Sequence, residues 1–284
     1  MESLSKTDLS SFSSMRVHSI AKVLYLPTSI DEILPLIKTL KETSQSYYIL
    51  SAGSNVVFND YIDTPIICLM KLNDDISYNA ETGLIKVGCS VRIQKLINEL
   101  KKYSLGGIEY LYTLPACVGG IVYMNAGRGK KCNQSISDYL ESVEVLCPSE
   151  GIIKTLPVDK KDFSHRHSPY QNTDYIILSA TFKFLHQDAE ETEKKIKERL
   201  EYSKKFLSAD KPSCGSVFCR GNRFLFRLMR GMRVGDAMFS KKTSDWISNM
   251  GNAKGSDVIK LIRKAEKLHR LLFSQYETEI RIFE

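Results

Sequence analysis

The run Leu114-Pro115-Ala116-Cys117-Val118-Gly119-Gly120-Ile121-Val122-Tyr123-Met124-Asn125-Ala126-Gly127 is small and uncharged, within a chain of formal net charge +7. Its three glycines, two alanines and one proline leave little side-chain bulk. Such a surface lets backbone N–H groups approach something flat or anionic. A second loop of the same kind, Ser51-Ala52-Gly53-Ser54-Asn55, follows the apolar Tyr47-Tyr48-Ile49-Leu50. Two backbone-rich loops in one chain suggest two walls of a pocket for a large phosphate-bearing cofactor. Either loop alone reads equally well as a tight turn packed on a helix.

Three more segments carry reactive groups: His165-Arg166-His167-Ser168-Pro169-Tyr170, Lys211-Pro212-Ser213-Cys214-Gly215-Ser216-Val217-Phe218, and Glu279-Ile280-Arg281. Each has a plain structural alternative. Arg166 alone could be a surface or ion-pairing arginine. Ser216 could be a cap or turn residue. Glu279 could be a strand-end carboxylate paired with Arg281 or a lysine.

The elements that must hold these groups read as alternating strands and helices. Strands are predicted at 22–27, 47–50, 66–70, 84–88, 142–146, 152–156, 175–184 and 279–283. Ser29-Ile30-Asp31-Glu32 has capping-box spacing and opens a helix to about Thr43. A second helix runs from Ser90 to Lys101, with Val91, Leu96, Ile97 and Leu100 on its apolar side. Glu190 to Phe206 is a charged helix with i,i+4 pairs. Ser256 to about Phe273 is another, with Val258, Ile262, Ala265, Leu268 and Leu272 at helical spacing. The first Gly-rich loop follows the second strand of its β-α-β unit and lacks GxGxxG spacing, which disfavours a Rossmann dinucleotide site.

The chain has 284 residues, 43% hydrophobic and 26% charged, as expected for a soluble protein with two or three cores. Its apolar runs are too short to span a bilayer. The Ser-rich stretch from Met1 to Ser14 has no apolar core and reads as a partly disordered leader rather than a secretory signal. Seven scattered cysteines (Cys68, Cys89, Cys117, Cys132, Cys147, Cys214, Cys219), odd in number and without a CxxC pair, fit reduced thiols of a cytoplasmic protein. The five histidines are dispersed and give no metal-site spacing. The net positive charge suits phosphate-bearing small molecules. The aromatics are dispersed and no nucleic-acid motif is present, so an RNA-binding module has little support.

In order and spacing, the five segments resemble the UDP-N-acetylenolpyruvoylglucosamine reductase family, flavoenzymes of peptidoglycan precursor synthesis. The resemblance runs from about Ser13 to the C-terminus. Ser51 to Val57 is similar to the family's Gly-rich serine-asparagine loop. Ile108 to Leu111 with Leu114 to Gly127 resembles its FAD-contacting run. His165 to Ser168 resembles its tyrosine-arginine-any-serine motif, and Pro212 to Phe218 its catalytic serine segment. Gly231 to Asn249, Gly251-Asn252-Ala253 and Glu279-Ile280-Arg281 resemble its C-terminal pattern.

The resemblance implies an α/β (α+β) fold: a vanillyl-alcohol-oxidase-type FAD-binding domain of two subdomains (1–60 and 61–185), then a substrate domain (186–284) whose last strand returns to the active site. It implies FAD bound by Ser51, Ala52, Gly53, Ser54, Asn55, Val56, Pro115, Ala116, Cys117, Gly119, Gly120, Asn125, Ala126 and Gly127. NADPH would be the hydride donor, and the enolpyruvyl group of a UDP-sugar the acceptor. Arg166, Ser216 and Glu279 map to the catalytic positions, and Arg220, Arg233 and Asn249 to substrate-binding ones. Neither a metal, a nucleic acid nor a membrane is implied, and the chain is expected to act as a monomer.

This chain departs from the family pattern at several positions. His165 replaces a tyrosine. Cys219-Arg220-Gly221 replaces lysine-asparagine-proline, so Arg220 would supply the cation from the next position. Thr243 replaces a histidine, and Ala116-Cys117 a glycine followed by threonine or serine. Ala52 replaces a loop glycine, which requires a negative φ. The substrate-facing departures leave two alternatives open: a relative reducing another enolpyruvyl sugar in capsule or secondary metabolism, and a non-catalytic FAD or nucleotide-sugar binding protein.

Overall fold

The computed structural model describes residues 1–128 and 134–284. Cys132 lies outside the described residues. The chain divides into two compact units, one of residues 1–2, 25–52 and 67–200, the other of residues 3–24, 53–66 and 201–284. This division interleaves in sequence, unlike the consecutive segments 1–60, 61–185 and 186–284.

The first unit is built on an antiparallel sheet. Its strand order is Ile152–Pro157, Leu140–Cys147, Ile176–Phe182, Leu84–Gly88, Ile76–Asn79. The central strand Ile176–Phe182 is buried at all but one position. Ile177, Ala180 and Phe182 pack with the apolar side of the helix Ile93–Lys102, through Ile93, Leu96, Ile97 and Leu100. Ile176 and Leu178 pack with the helix Ile33–Glu42, through Ile33, Leu36, Ile37 and Leu40. A strand covered on both faces reads as an apolar run rather than an alternation, and IILSATF does so.

Both helix starts differ from the expectation for physical reasons. The Ser29–Glu32 capping box forms, but it closes a 3-10 turn, Ile30–Glu32, before the α-helix begins at Ile33. Pro35 then sits in the first helical turn, where its missing N–H is not needed. Ser90 does not cap the second helix. Its hydroxyl donates to the Leu69 carbonyl at 2.7 Å and accepts from the Asn73 N–H at 2.9 Å, so the helix begins three residues later at Ile93.

The second unit has a four-stranded antiparallel sheet in the order Ser213–Ser216, Trp246–Asn249, Ala237–Phe239, Arg233–Val234. The helix Gly255–Leu271 supplies Val258, Ile262 and Ala265 to a core shared with Met15, Cys214, Val217, Phe239 and Ile247. Leu272 falls after the helix and is 56% exposed, so the apolar spacing runs one position too far there. The strand Val56–Phe58 pairs in parallel with the C-terminal Arg281–Phe283.

The expected disordered leader is corrected. Glu2–Asp8 is a strand, Ser10–Phe12 a 3-10 turn, and Leu9 and Met15 are fully buried. The serines that suggested disorder hydrogen-bond to backbone instead. Ser13 Oγ donates to the Val56 carbonyl (3.3 Å), Ser14 Oγ to the Ser213 carbonyl (2.8 Å), and the Ser14 N–H to the Gly53 carbonyl (3.2 Å). Among the described residues, no helix is long and apolar enough to cross a membrane. Cys68, Cys89, Cys117, Cys147, Cys214 and Cys219 are free thiols.

Candidate active site

Within the first unit the two backbone-rich loops meet. Cys117 precedes the short helix Val118–Tyr123, and its thiol is within hydrogen-bonding reach of the Ser51 hydroxyl. A Cβ added at Gly120 would lie 3.4 Å from Ser51 Oγ, in ordinary contact range. Gly119 is packed more tightly. Its N–H donates to the Cys89 carbonyl at 2.9 Å, and a Cβ there would lie 3.0 Å from Cys89 Cβ. Gly127 pairs with Ser135, and a Cβ would meet the Gln134 carbonyl oxygen at 2.4 Å.

The expected cofactor residues of this run divide by exposure. Ser51, Ala52, Pro115, Gly119, Gly120 and Gly127 keep accessible surface, while Ala116, Cys117, Asn125 and Ala126 are buried. The buried ones hold the run in shape. Asn125, at φ +41°, donates from Nδ2 to the Ser164 carbonyl (2.9 Å) and accepts from the Ser137 N–H (3.3 Å). Burial pushes the nearby Cys68 and Cys89 thiols to about 11, so neither is a nucleophile at neutral pH.

Arg166 stands on a tight turn. Ser164 and His167 exchange both backbone hydrogen bonds (3.2 and 3.0 Å), and Arg166 is held at φ +62°. A side chain in that region costs about 1–2 kcal/mol. Its surroundings fix it there. The Gln171 side chain donates to the Arg166 carbonyl (3.0 Å), and the buried Ser168 Oγ donates to the Tyr123 carbonyl (2.7 Å). The guanidinium Nη1 donates to the Gly127 carbonyl at 3.3 Å, tying the arginine to the end of the Gly-rich run. Strain of this kind on a reactive residue is a recurrent mark of functional sites. The Tyr110 hydroxyl, in the same electrostatic neighbourhood, is buried and has no hydrogen-bond partner among the described residues.

These features fit a flavin nucleotide. Two loops of small residues present backbone at a shared edge, two glycines there leave out the Cβ atoms, and a buried hydroxyl lacks a partner among the described residues. Ala52, as its replacement of glycine requires, does not have a positive φ. Gly53 does, at +63°, and a Cβ there would strike the Phe12 carbonyl oxygen at 1.9 Å.

Within the second unit, Ser216 and Glu279 are brought together by the residue between them in space, Val217. The Glu279 N–H donates to the Val217 carbonyl at 2.8 Å. The Asn55 side chain donates to the Glu279 carbonyl (3.0 Å), and the Arg281 N–H to the Asn55 carbonyl (3.0 Å). Asn55, expected as a cofactor residue, therefore positions the backbone that carries Glu279. Ser216 ends a strand, opposite Trp246, and its Oγ accepts from Trp246 Nε1 at 3.2 Å.

Asp245 completes this cluster and was not expected from the sequence. Its Oδ1 accepts from the Phe218 N–H (3.3 Å), its carbonyl accepts from the Val217 N–H (3.0 Å), and its carboxyl interacts with the Ser216 side chain. Burial, with the Glu279 charge adding to it, raises its carboxyl to about 7. The available signal was an acid directly before the chain's single tryptophan.

The expected substrate residues fare differently. Arg220 and Arg233 are exposed, with Arg220 Nη2 donating to Gln275 Oε1 at 2.5 Å and Arg233 paired with Asp236 at 2.9 Å. Asn249 is corrected. It is buried, its Oδ1 accepts from the Gly251 and Ala253 N–H groups, and its Nδ2 donates to the Met15 and Arg16 carbonyls. All four hydrogen-bonding positions of the amide are spent inside the protein.

Comparison with known proteins agrees with this geometry. Residues 21–156 match an FAD binding domain, and residues 207–282 match the C-terminal domain of UDP-N-acetylenolpyruvoylglucosamine reductase. Curated proteins of that name are similar over nearly the whole chain. The one from Caldicellulosiruptor saccharolyticus is 33% identical over 278 residues, covering 94% of this chain and 87% of its own. The one from Fusobacterium nucleatum is 32% identical, covering 94% of each. The crystal structure of the Thermus caldophilus protein superposes with a TM-score of 0.76 at 24% identity, covering 100% of this chain and 98% of that one, and so shares the fold. The mixed α/β architecture, the flavin-compatible loops and these matches place the chain in the UDP-N-acetylenolpyruvoylglucosamine reductase family.

Proposed function

We propose that this chain reduces the enolpyruvyl double bond of UDP-N-acetylenolpyruvoylglucosamine to the lactyl ether of UDP-N-acetylmuramate, in peptidoglycan precursor synthesis. When bound, FAD would supply the hydride chemistry that links NADPH to the substrate. The similarity of the curated relatives over nearly the whole chain carries the reading. The cluster at Ser216 and Glu279 supports it.

The residues' chemistry follows from the charge that hydride addition creates. An enol ether bearing a carboxylate becomes enolate-like, and that charge needs fixed donors aimed at it. Arg166 stabilises it, because a guanidinium is always charged and grips a carboxylate with two parallel donors. Ser216 gives its hydroxyl proton to the carbon, since an enolate is basic enough to take it. Glu279 polarises the intermediate or holds the donor in place. The accessible residues Ser51, Ala52, Ser54, Val56, Pro115, Gly119, Gly120 and Gly127 would hold the flavin nucleotide, with the buried Gly53 shaping the first loop. Ala116, Cys117, Asn125, Ala126 and Asn55 act behind them by fixing the loops. Arg220 and Arg233, exposed at the surface, would exchange their Gln275 and Asp236 partners for the UDP diphosphate. The protein works as a cytoplasmic monomer.

The test is anaerobic stopped-flow absorbance of FAD-loaded protein reduced by one equivalent of NADPH. Rapid flavin reoxidation on mixing with UDP-N-acetylenolpyruvoylglucosamine is the expected result. Reduction by NADPH without reoxidation by this sugar would overturn the substrate assignment.

A further inference from the structure

The hydroxyl of Ser216 is a weak acid asked to give up a proton, and something must replace that proton. Two groups converge on its oxygen. Trp246 Nε1 donates to it at 3.2 Å, and the Asp245 carboxyl, bonded through Oδ1 to the neighbouring Phe218 N–H, interacts with it. Asp245 is itself fixed from two sides, through the Phe218 N–H on Oδ1 (3.3 Å) and the Val217 N–H on its carbonyl (3.0 Å). We propose that Asp245 is the positioning residue for Ser216 and the source of the proton that replaces the one Ser216 gives to the substrate carbon. This inference rests on the reductase reading above.

The proton balance is simple. The electron pair of the enolate-like intermediate forms a C–H bond with the Ser216 proton, and the Ser216 O–H bond breaks. The Asp245 O–H bond then breaks as a new O–H bond forms on Ser216. Asp245 is left as a carboxylate and takes a proton from water before the next turnover. Protonation of Asp245 also sets the direction of the serine proton. As an acid, Asp245 donates to Ser216 Oγ together with Trp246, so the Ser216 O–H is turned outward. As a carboxylate, Asp245 accepts the Ser216 O–H and withholds it from the substrate.

The ionisable groups around Asp245 oppose its ionisation. Glu279 and Cys214 interact with it electrostatically, and the Glu279 charge favours the neutral acid. A carboxyl at about 7 is matched to proton transfer at neutral pH.

The experiment compares wild type, Asp245→Asn and Asp245→Glu as FAD-loaded proteins. Reoxidation of the NADPH-reduced flavin by UDP-N-acetylenolpyruvoylglucosamine is followed from pH 5.5 to 8.5, with flavin reduction by NADPH as the control in each sample. In the wild type the reoxidation rate falls as pH rises through about 7. Asp245→Asn lowers the rate about 10²-fold, as loss of a general acid does, and removes that pH limb. Asp245→Glu restores the limb. The second readout is emission from Trp246, the single tryptophan. It titrates near pH 7 in the wild type and is flat in Asp245→Asn. A variant Asp245→Asn with the wild-type rate and pH profile overturns the inference and leaves the reductase reading standing. A wild type that the sugar does not reoxidise at any pH overturns the reductase reading, and the Trp246 titration then decides whether Asp245 and Ser216 are coupled.

Discussion

In the run from Leu114 to Gly127 the working surface is made by side chains that are absent, while around Ser216 it is made by side chains that are present and titrate. The first region is fixed by backbone packing: Gly119 on Cys89, Gly127 on Gln134 and Asn125 on Ser164. Little can be added there. The second region is held by a few hydrogen bonds to the main chain of Val217 and Phe218, and its behaviour depends on which groups carry protons. A backbone wall is sensitive to volume and indifferent to pH. A cluster of carboxyls beside a hydroxyl is the reverse. Under the proposed function, the contrast follows from what each meets: a flat, anionic cofactor in one case, a carbon that needs a proton in the other.

The largest expected effect belongs to the charged residue that abuts the backbone wall. Arg166→Ala lowers kcat by about 10²–10³-fold, by analogy with loss of an oxyanion donor. Steady-state kinetics checks this, and Arg166→Lys recovers only part of the loss because an ammonium cannot present the planar fork. A near-wild-type kcat in Arg166→Ala would remove the arginine from the chemistry.

Next comes volume. Gly127→Ala puts a Cβ 2.4 Å from a carbonyl oxygen and costs about 3 kcal/mol. Thermal denaturation should show a loss of roughly 6–12 °C. Gly120→Ala makes the sharper comparison, because its Cβ would meet only the Ser51 side chain at 3.4 Å. Thermal stability should stay within about 1 kcal/mol of wild type, since alanine is also the better helix former. FAD affinity should fall about 10-fold, equivalent to about 1.4 kcal/mol, if the missing Cβ serves the ligand. Equal FAD affinity in a titration of apoprotein would assign Gly120 to packing alone.

The last comparison is the pH dependence of stability from Asp245. Its ordinary carboxyl value is near 4 in the unfolded chain and about 7 in the native one. Between these the native state holds a proton that the unfolded state has lost, so stability falls as pH rises from about 4 through about 7. One proton allows at most about 1.4 kcal/mol per pH unit. Denaturant titrations at pH 5 and pH 8 should show a smaller difference in Asp245→Asn than in wild type. An equal difference would mean that Asp245 ionises normally.

Much of the local structure was legible. The apolar spacing of Val258, Ile262 and Ala265 located the C-terminal helix and its buried face, and IILSATF located the central strand. Ala52 could be read as needing a negative φ, and it has one. The losses came where a polar side chain had two possible partners. Ser90 looked like a cap and instead bridges Leu69 and Asn73. Ser13 and Ser14 looked like parts of a solvated leader and instead bond Val56 and Ser213. Asn249 looked like a ligand residue and is spent on four backbone groups.

The sequence by itself determined the family, the main helices and central strands, and the candidate residues for chemistry on an enolpyruvyl ether, because these depend on local pattern and on motif spacing. Only the tertiary structure decided which of those residues face outward and which are consumed as internal hydrogen-bond partners. It alone put Asp245 against Ser216 and Glu279 behind Val217. Such pairings join positions 29 and 62 residues apart in the chain (245 − 216 and 279 − 217), and no local periodicity records them.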